Sequence, residues 1–466
     1  MKDKVNNFKT YLFWFANDHV DFRLSEIESI IDILKTCIKW VEKPSKKPYS
    51  IVDLPSDTIA REIAHRSVTL KHISELWVSS AEKEDLHSKL KEYSDKVLKN
   101  LINLRKASFK FNIEVFCNTQ NYSEKIKKIE SFNYLPFEGP VKLDNPDITL
   151  QYFEYYGVDP NNIPKKPYYL FFGKLIANSQ RKIIHNLSLK KRTFIGNTSM
   201  DAELSLVMAN HAKVCKGDVI YDPFVGSGSL LIAAAYFGGY VFGIDIDYQM
   251  IHGKTKPTRK QNRHIARKDE NVLANMKQYG LEDQYIDILV GDSSLPLWRS
   301  DFKLDAIITD PPYGIREATE RIGSNHIHKN NSQNENKETK FPSKVIYTFH
   351  QILYDLLYFS ALHLKLGGRL VTWIPIYIHY NEHNYLPEHA CFSLISNCEQ
   401  ILSRVVSRRL LTFEKIKEPS NEELKLCKIY NNNFREKYFN YKYNANISSS
   451  GEYQNSDSFP IEKNNL

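Results

Sequence analysis

The spacing of apolar and polar positions changes period repeatedly along the 466 residues. Residues 11–17 are a short apolar run of strand length. Ile27, Ile30, Ile31, Leu34 and Ile38 then recur at helical spacing, and Ser25 with Glu28 predicts a capping box ahead of them. Residues 49–54 and 68–78 read as strands, with Pro55-Ser56-Asp57 starting a helix between them. This βαββαβ rhythm predicts an α+β, ferredoxin-like unit over residues 1–80. Its apolar stripes are core positions and identify no ligand. Residues 81–178 predict a second unit. It has a polar helix reaching Asn100, a half-buried strand through Phe109, Phe111, Ile113 and Val115, and a last strand over 168–177.

Beyond a linker at 179–196, residues 197–429 carry the rhythm of an open α/β sheet. Strand patterns near 218–222, 240–244, 286–290, 307–309 and 369–374 alternate with helical ones at 202–212, 230–236 and 345–364. Strand-like stretches near 401–406 and 410–413 predict a closing antiparallel pair. The order predicts a doubly wound sheet that binds ligands at the carboxyl ends of its strands. Residues 323–340, rich in Asn and Lys, predict a mobile insertion, and 430–466 a disordered or loosely attached tail.

Composition narrows this only a little. Contents of 42% hydrophobic and 25% charged residues are those of an ordinary soluble globular chain. The formal charge of +8 leans toward an acidic partner such as nucleic acid. The basic residues between Lys96 and Lys128 read first as a solvated face and second as an RNA-facing surface. Cys37, Cys117, Cys215, Cys391, Cys398 and Cys427 include no CxxC pair, which argues against a zinc site in this chain and for a reducing compartment. The apolar run at 11–16 is too short for a membrane span and lacks a cleavage pattern, so no membrane association and a cytoplasmic or nuclear place are expected.

The chemistry gathers in two motifs. Ile307-Ile308-Thr309-Asp310-Pro311-Pro312-Tyr313-Gly314 is a buried strand breaking into a rigid loop. Asp310 and the Pro311 carbonyl can each accept one hydrogen of an exocyclic amine, while Tyr313 stacks on a planar base. Accepting those bonds turns the nitrogen lone pair toward an electrophile, with no metal required. Upstream, Asp222-Pro223-Phe224-Val225-Gly226-Ser227-Gly228 takes a strand through a Gly-x-Gly turn into an apolar helix. Asp222 is placed to accept from an ammonium, and Asp245, ending the next strand, from two ribose hydroxyls. Leu231 stands where a dinucleotide fingerprint has its third glycine, so an adenosyl ligand with a zwitterionic tail fits better than a diphosphate. Asp292 is a candidate for the adenine amino group, with a turn hydrogen bond as the plainer reading. Thr198, Ser199 and Asp201 either cap the following helix or also close over the amino-acid end of the ligand. A basic cluster, Lys254, Lys256, Arg259 and Lys260 continuing to Arg263, Arg267 and Lys268, is a candidate phosphate contact or a solvated loop.

The motifs at Asp222–Gly228, Asp245 and Asp310–Tyr313 resemble the S-adenosylmethionine-dependent amino-methyltransferases. Two runs are more selective. Phe194-Ile195-Gly196-Asn197-Thr198-Ser199-Met200-Asp201-Ala202-Glu203-Leu204-Ser205 is one; residues 11–19, followed by Asp21-Phe22-Arg23-Leu24-Ser25-Glu26-Ile27, are the other. With them, residues 11 to about 415 resemble the catalytic subunit of the eukaryotic tRNA guanosine-10 N2-methyltransferases. The resemblance implies a ferredoxin-like plus THUMP RNA-binding module ahead of a Rossmann-like methyltransferase domain. It implies S-adenosyl-L-methionine as cofactor, tRNA as substrate and a small zinc-binding activator subunit as partner. Thr198 to Asp201 then belong to the cofactor site and Asp310 to Tyr313 to the catalytic loop. Three rivals remain open: an adenine-N6 methyltransferase, a protein-glutamine methyltransferase, which usually presents Asn at the Asp310 position, and a non-catalytic RNA-binding scaffold.

Overall fold

The computed structural model describes residues 8–252, 254, 270–315, 317, 319–323, 343–378, 386–429 and 434–440. Its first sheet starts with β1 (Lys9–Phe15), α1 (Arg23–Leu34), β2 (Lys39–Glu42), β3 (Tyr49–Leu54), α2 (Asp57–Arg66) and β4 (Leu70–Ser80). Their order, β2-β3-β1-β4 and antiparallel throughout, is the ferredoxin-like arrangement the rhythm implies. Ser56 caps α2 by accepting from the Ile59 N–H at 3.3 Å. The expected capping box at Ser25 and Glu28 is absent. A single turn at Val20–Phe22 feeds α1 directly, so Ser25 lies inside the helix, against the Cys398 thiol at 3.3 Å. Helix α1 ends where Lys35 turns left-handed (φ 49°), and Ile38 packs on the core from beyond it.

The sheet continues past β4. After α3 (Lys83–Lys96) and α4 (Ile102–Lys106) come β5 (Phe109–Phe116), α5 (Tyr122–Glu130), β6 (Ile148–Tyr155) and β7 (Tyr169–Asn178). β7 pairs with β4 and β6 with β7, both antiparallel, and β5 lies parallel to β6 at the edge. The alternation rule misses β6. That strand lies between two others and is buried at seven of its eight residues, so it shows no polar face.

Helices α6 (Lys182–Asn186) and α7 (Ala202–His211) lead to the second sheet. It is built from β8 (Val219–Asp222), α8 (Ser229–Tyr236), β9 (Tyr240–Asp245), α9 (Tyr248–Ile251), α10 (Val272–Tyr279), β10 (Tyr285–Val290) and β11 (Leu304–Thr309). A two-stranded ribbon of β12 (Glu320–Ile322) and β13 (Lys344–Ile346) follows, then α11 (Phe349–His363) and β14 (Leu364–Tyr377). The short β15 (Glu388–His389) pairs with β18 (Cys427–Lys428), and between them run β16 (Phe392–Ile401) and β17 (Val406–Lys415). The order is β10-β9-β8-β11-β14-β17-β16; β17 alone runs antiparallel to its two neighbours, and the other six strands share one direction. Apolar layers cover both faces: Leu206, Leu231 and Met276 on one, Leu356, Leu357 and Phe413 on the other.

Two boundaries differ from the pattern reading. Helix α11 starts at Phe349 and not at 345, because Thr348 and Gln351 form a reciprocal capping box that leaves 344–346 to pair in the ribbon. Residues 402–405 are the turn of the β16–β17 hairpin rather than a strand, and the backbone N–H groups of Leu402 and Ser403 both donate to Val406. No described helix is long and apolar enough to cross a membrane.

The two sheets are joined by buried polar contacts. Glu26, 0% exposed, accepts from the Ser67 and Thr69 hydroxyls, the Val68 and Thr69 N–H groups and the Asn210 amide of α7. Arg66 donates to Asn210 Oδ1 and to the Val214 carbonyl, both at 2.6 Å. Arg369 on β14 reaches Ser29 at 3.0 Å and Asp32 at 3.1 Å on α1. Phe22 and Val68 belong to the apolar core of the second sheet.

Candidate active site

Strand order reverses between β8 and β11, and their carboxyl ends open a crevice at that switch point. Asp222 hangs from one end and Asp310 follows the other. The turn after β8 uses left-handed backbone at Gly226 (φ 52°) and Gly228 (φ 76°), where side chains are disfavoured. A Cβ at 228 would also meet Val272 Cγ1 at 2.4 Å, whereas nothing lies within 4 Å of one at 226. Backbone therefore lines the crevice on that side.

Asp222 is 1% exposed. Its Oδ1 accepts both the Thr309 hydroxyl at 2.7 Å and the Phe224 N–H at 3.0 Å, which leaves Oδ2 for a ligand. Burial pushes its pKa up to about 7, and the negative charges of Asp245 and Asp310 add to the rise. Asp245 accepts from the Gly226 and Asp247 N–H groups, each at 2.8 Å, and burial raises its pKa as well. Asp201 caps α7 by accepting from the Leu204 N–H at 3.0 Å. The Ser199 hydroxyl bonds the Gly196 N–H at 2.8 Å and meets the Ser227 hydroxyl of the glycine turn at 2.5 Å. Thr198 donates to Glu317, a carboxylate on the loop after Gly314 that sequence reasoning did not single out. Asp292 follows its plainer reading and more: it accepts from Ser294 N–H at 2.8 Å and from Ile322 N–H of β12 at 2.5 Å.

In the loop after β11 the Asp310 side chain keeps 24% exposure. One carboxylate oxygen accepts the Tyr313 hydroxyl and the other accepts Arg408 NH1 at 3.2 Å. Burial raises the Asp310 pKa, and the Arg408 guanidinium opposes the rise. Tyr313, expected to lie against a base, here turns its hydroxyl onto Asp310 and meets Phe349 edge-on, with ring centroids 5.8 Å apart. Pro311 is buried and Pro312 half-buried beside it. Residues 434–440, expected in a loosely attached tail, form a helix with Phe434 buried, and Arg435 Nε donates to the Gly314 carbonyl at 2.9 Å. In the sequence Arg408 is one of three basic residues, with Arg409 and Lys415, in a strand that also carries Ser407, Thr412 and Glu414, and nothing local singles it out. Lys254 holds its ammonium 4.7 Å from the Tyr248 ring centroid. Lys256, Arg259 and Lys260, with Arg263, Arg267 and Lys268, lie outside the described residues, as do 324–342 of the insertion and 441–466 of the tail.

Asp222, Asp245, Asp310 and Glu317 thus share one crevice, each with its pKa raised first by burial. Such a set repels a diphosphate and attracts a cation. The sulfonium and ammonium of S-adenosylmethionine, laid over an open glycine backbone, fit these residues. Asp222 Oδ2 would take the ammonium side and Asp245 the ribose.

Residues 9–181 match the family model of the Tmrp11 THUMP N-terminal domain, and residues 190–351 that of the RMKL-like methyltransferase domain. The chain is similar to the tRNA (guanine(10)-N(2))-methyltransferase TRMT11 of Bos taurus, 46% identical over 92% of this chain and 95% of that protein. It is likewise similar to the tRNA (guanine(10)-N(2))-methyltransferase of Saccharomyces cerevisiae, 33% identical over 93% of this chain and 99% of that one. Among solved structures, TrmN from Thermus thermophilus is 15% identical, with a TM-score of 0.42 over 87% of this chain and 100% of that one. Both modules match in order, and the relatives align over almost their whole length: the chain belongs to the tRNA (guanine(10)-N(2))-methyltransferase family.

Proposed function

We propose that the protein transfers the methyl group of S-adenosylmethionine to the exocyclic N2 of guanosine 10 in tRNA. In this reading residues 1–178 hold the RNA, residues 197–429 carry out the transfer, and a small zinc-binding activator subunit completes a heterodimer. The observation that carries it is the Asp310 carboxylate, fixed by Arg408 in an acidic crevice whose turn leaves open space at Gly226. When bound, the cofactor supplies an electrophilic methyl on a positively charged sulfur. Asp310 and the Pro311 carbonyl accept the two amine hydrogens, which leaves the lone pair of N2 pointing at that methyl. Tyr313 exchanges its bond to Asp310 for a stacked position on the guanine. The proton that N2 sheds leaves through Asp310 to water. Since N2 is paired or stacked in folded tRNA, the nucleotide must first turn out of its stem, at a cost of a few kcal/mol.

The test is methyl transfer from labelled cofactor to bulk tRNA, with and without the co-expressed activator, followed by nucleoside analysis. N2-methylguanosine is the expected product; label in N6-methyladenosine or in protein overturns the substrate. The activator's surface on this chain is the outer edge of β10. Ile286, Leu289 and Val290 of that strand are exposed, and no described strand covers its outer edge. Leu289→Lys should abolish co-purification of the two subunits while leaving this chain folded. Undiminished co-purification would place the partner elsewhere.

A further inference from the structure

We propose that Arg408 is a positioning residue for the transfer: it holds the Asp310 carboxylate ionised and oriented, with one oxygen reserved for the guanine amine. The inference rests on the reaction proposed above and extends it to a residue outside the catalytic loop. Because β17 runs antiparallel to β14, its first residues lie at the end of the sheet where the parallel strands open. The register sets Arg408 beside Pro375 on β14 and Gln400 on β16. From there the side chain crosses back toward the switch point.

The Arg408 side chain is 12% exposed, and its guanidinium is fixed from four directions. Its Cζ lies 4.0 Å from the ring centroid of buried Trp373. Nε donates to Gln400 Oε1 at 2.7 Å, NH2 lies 3.3 Å from Met200 Sδ, and NH1 donates to Asp310 Oδ2 at 3.2 Å. A guanidinium suits this task, since a planar fork can stack on a ring and still donate along two edges. Held this way, it is a fixed donor to Asp310 and not a mobile phosphate contact.

The consequence is a division of labour between the two carboxylate oxygens. Oδ2 belongs to Arg408, while Oδ1 accepts the Tyr313 hydroxyl, a neutral donor that an amine hydrogen can replace. The exchange at Oδ1 leaves Oδ2 undisturbed, so the acceptor stays aligned. Charge matters equally. Asp222 from β8 and Glu317 from the following loop face Asp310 with like charge, and Tyr313 is neutral. Arg408 is the cation paired with Asp310, and it opposes the effect of burial. A protonated Asp310 would be a donor facing a donor, and the amine could not be oriented. The same cation offsets part of the basicity that burial adds, and with Oδ2 bound to Arg408 the role of Asp310 is to accept a hydrogen bond at Oδ1 before transfer.

The experiment compares wild type, Arg408→Gln and Arg408→Lys as the full activator complex, with saturating cofactor and tRNA. Single-turnover rates are taken between about pH 5 and 9, where a titrating carboxylate shows as the acid limb of the profile. Arg408→Gln should lower the rate about 10- to 100-fold near neutrality, as expected for a misplaced acceptor. It should also move the acid limb up by about one pH unit, the effect of removing a neighbouring cation. Arg408→Lys should return the limb toward the wild-type position without restoring the full rate. Cofactor affinity should stay within about threefold, because uniform binding is untouched. A lowered rate with an unmoved limb in both variants would reduce Arg408 to a structural residue, and an unchanged rate would remove its role. A carbon-13 titration of the Asp310 carboxyl, assigned with Asp310→Asn, needs no turnover. It should show the same upward move in Arg408→Gln. The inference therefore stands or falls on that titration even if the methylated atom proves not to be guanine N2.

Discussion

Asp310→Asn is the sharpest test of the catalytic loop, because it preserves shape and removes one property. The native carboxylate receives two donors, the Tyr313 hydroxyl on one oxygen and Arg408 NH1 on the other at 3.2 Å. An asparagine has one oxygen and one NH2 group to offer them. Arg408 can only donate and is held by Trp373 and Gln400, so the amide oxygen must turn to it. The NH2 group then faces the place of the guanine amine, where a donor meets a donor. One oriented acceptor is lost from the transition state, which is worth about 3–4 kcal/mol, or about 10²–10³ in rate. The fold should lose about 1–3 kcal/mol from the weakened pair. Cofactor affinity should change by less than about threefold, because on the proposed reading Asp222 and Asp245 hold the ammonium and the ribose and Asp310 adds only to the charge of the crevice. The assay is single-turnover transfer to tRNA, with cofactor binding followed separately by calorimetry. Turnover near the wild-type rate would refute the role given to Asp310. So would a fall in cofactor affinity as large as the fall in rate, which would make Asp310 a binding residue.

Asp222, lifted to about 7 by burial, ionises in the unfolded chain well before it does in the fold. Its contribution to the stability of the cofactor-free protein is therefore complete below about pH 4 and is lost as pH rises through about 7. Asp222→Asn, which keeps the Oδ1 bonds to Thr309 and Phe224, should flatten that decline in denaturant midpoints; an unaltered slope would count against it. Cofactor binding near pH 7 should release protons from the wild type and few from Asp222→Asn, as calorimetry in buffers of different ionisation enthalpy would register. Gly228→Ala should cost about 1–2 kcal/mol for left-handed backbone and about 1–3 kcal/mol more for the contact with Val272, with cofactor binding lost in equilibrium dialysis. Gly217→Ala, at φ 92° with nothing within 4 Å, should show only the backbone cost and normal binding. Glu26→Ala strands four protein donors and the Asn210 amide, so unfolding in denaturant should come about 3–5 kcal/mol easier.

What the sequence made legible follows from how far each signal reaches. β3 is bounded at Tyr49 and Leu54 as the apolar run implies, and the glycine turn, Asp245 and Asp310 stand at strand carboxyl ends as their order implies. Those are local signals: an apolar run, a turn residue, an acid where the run stops. Helix α11 was misplaced because apolar residues 345–346 belong to a ribbon strand, and the Thr348–Gln351 box outweighs apolar periodicity in setting its start. β6 escaped because an interior strand lacks alternation. Arg408, Glu317 and Arg435 escaped for a different reason. Each acquires its meaning from a partner 98, 119 or 121 residues away, Asp310, Thr198 and Gly314 respectively, and no short window holds both members.

The junction between the sheets bears on how a target nucleotide reaches Asp310. Domain rotation needs an interface that can slide, and mobile interfaces are small and wet. Here Glu26 is fully buried with five donors on it, Arg66 holds Asn210 and the Val214 carbonyl, and Phe22 lies 5.9 Å from the Trp373 ring. Trp373 is the same ring that holds the Arg408 guanidinium. Turning the first sheet on the second would break buried hydrogen bonds and disturb the support of Asp310 in one motion. On the proposed reaction, the distance between the RNA-holding module and the crevice is therefore a fixed length. On that reading the tRNA makes up any difference by unstacking its own nucleotide, and reach as well as base chemistry would then select the residue to be methylated.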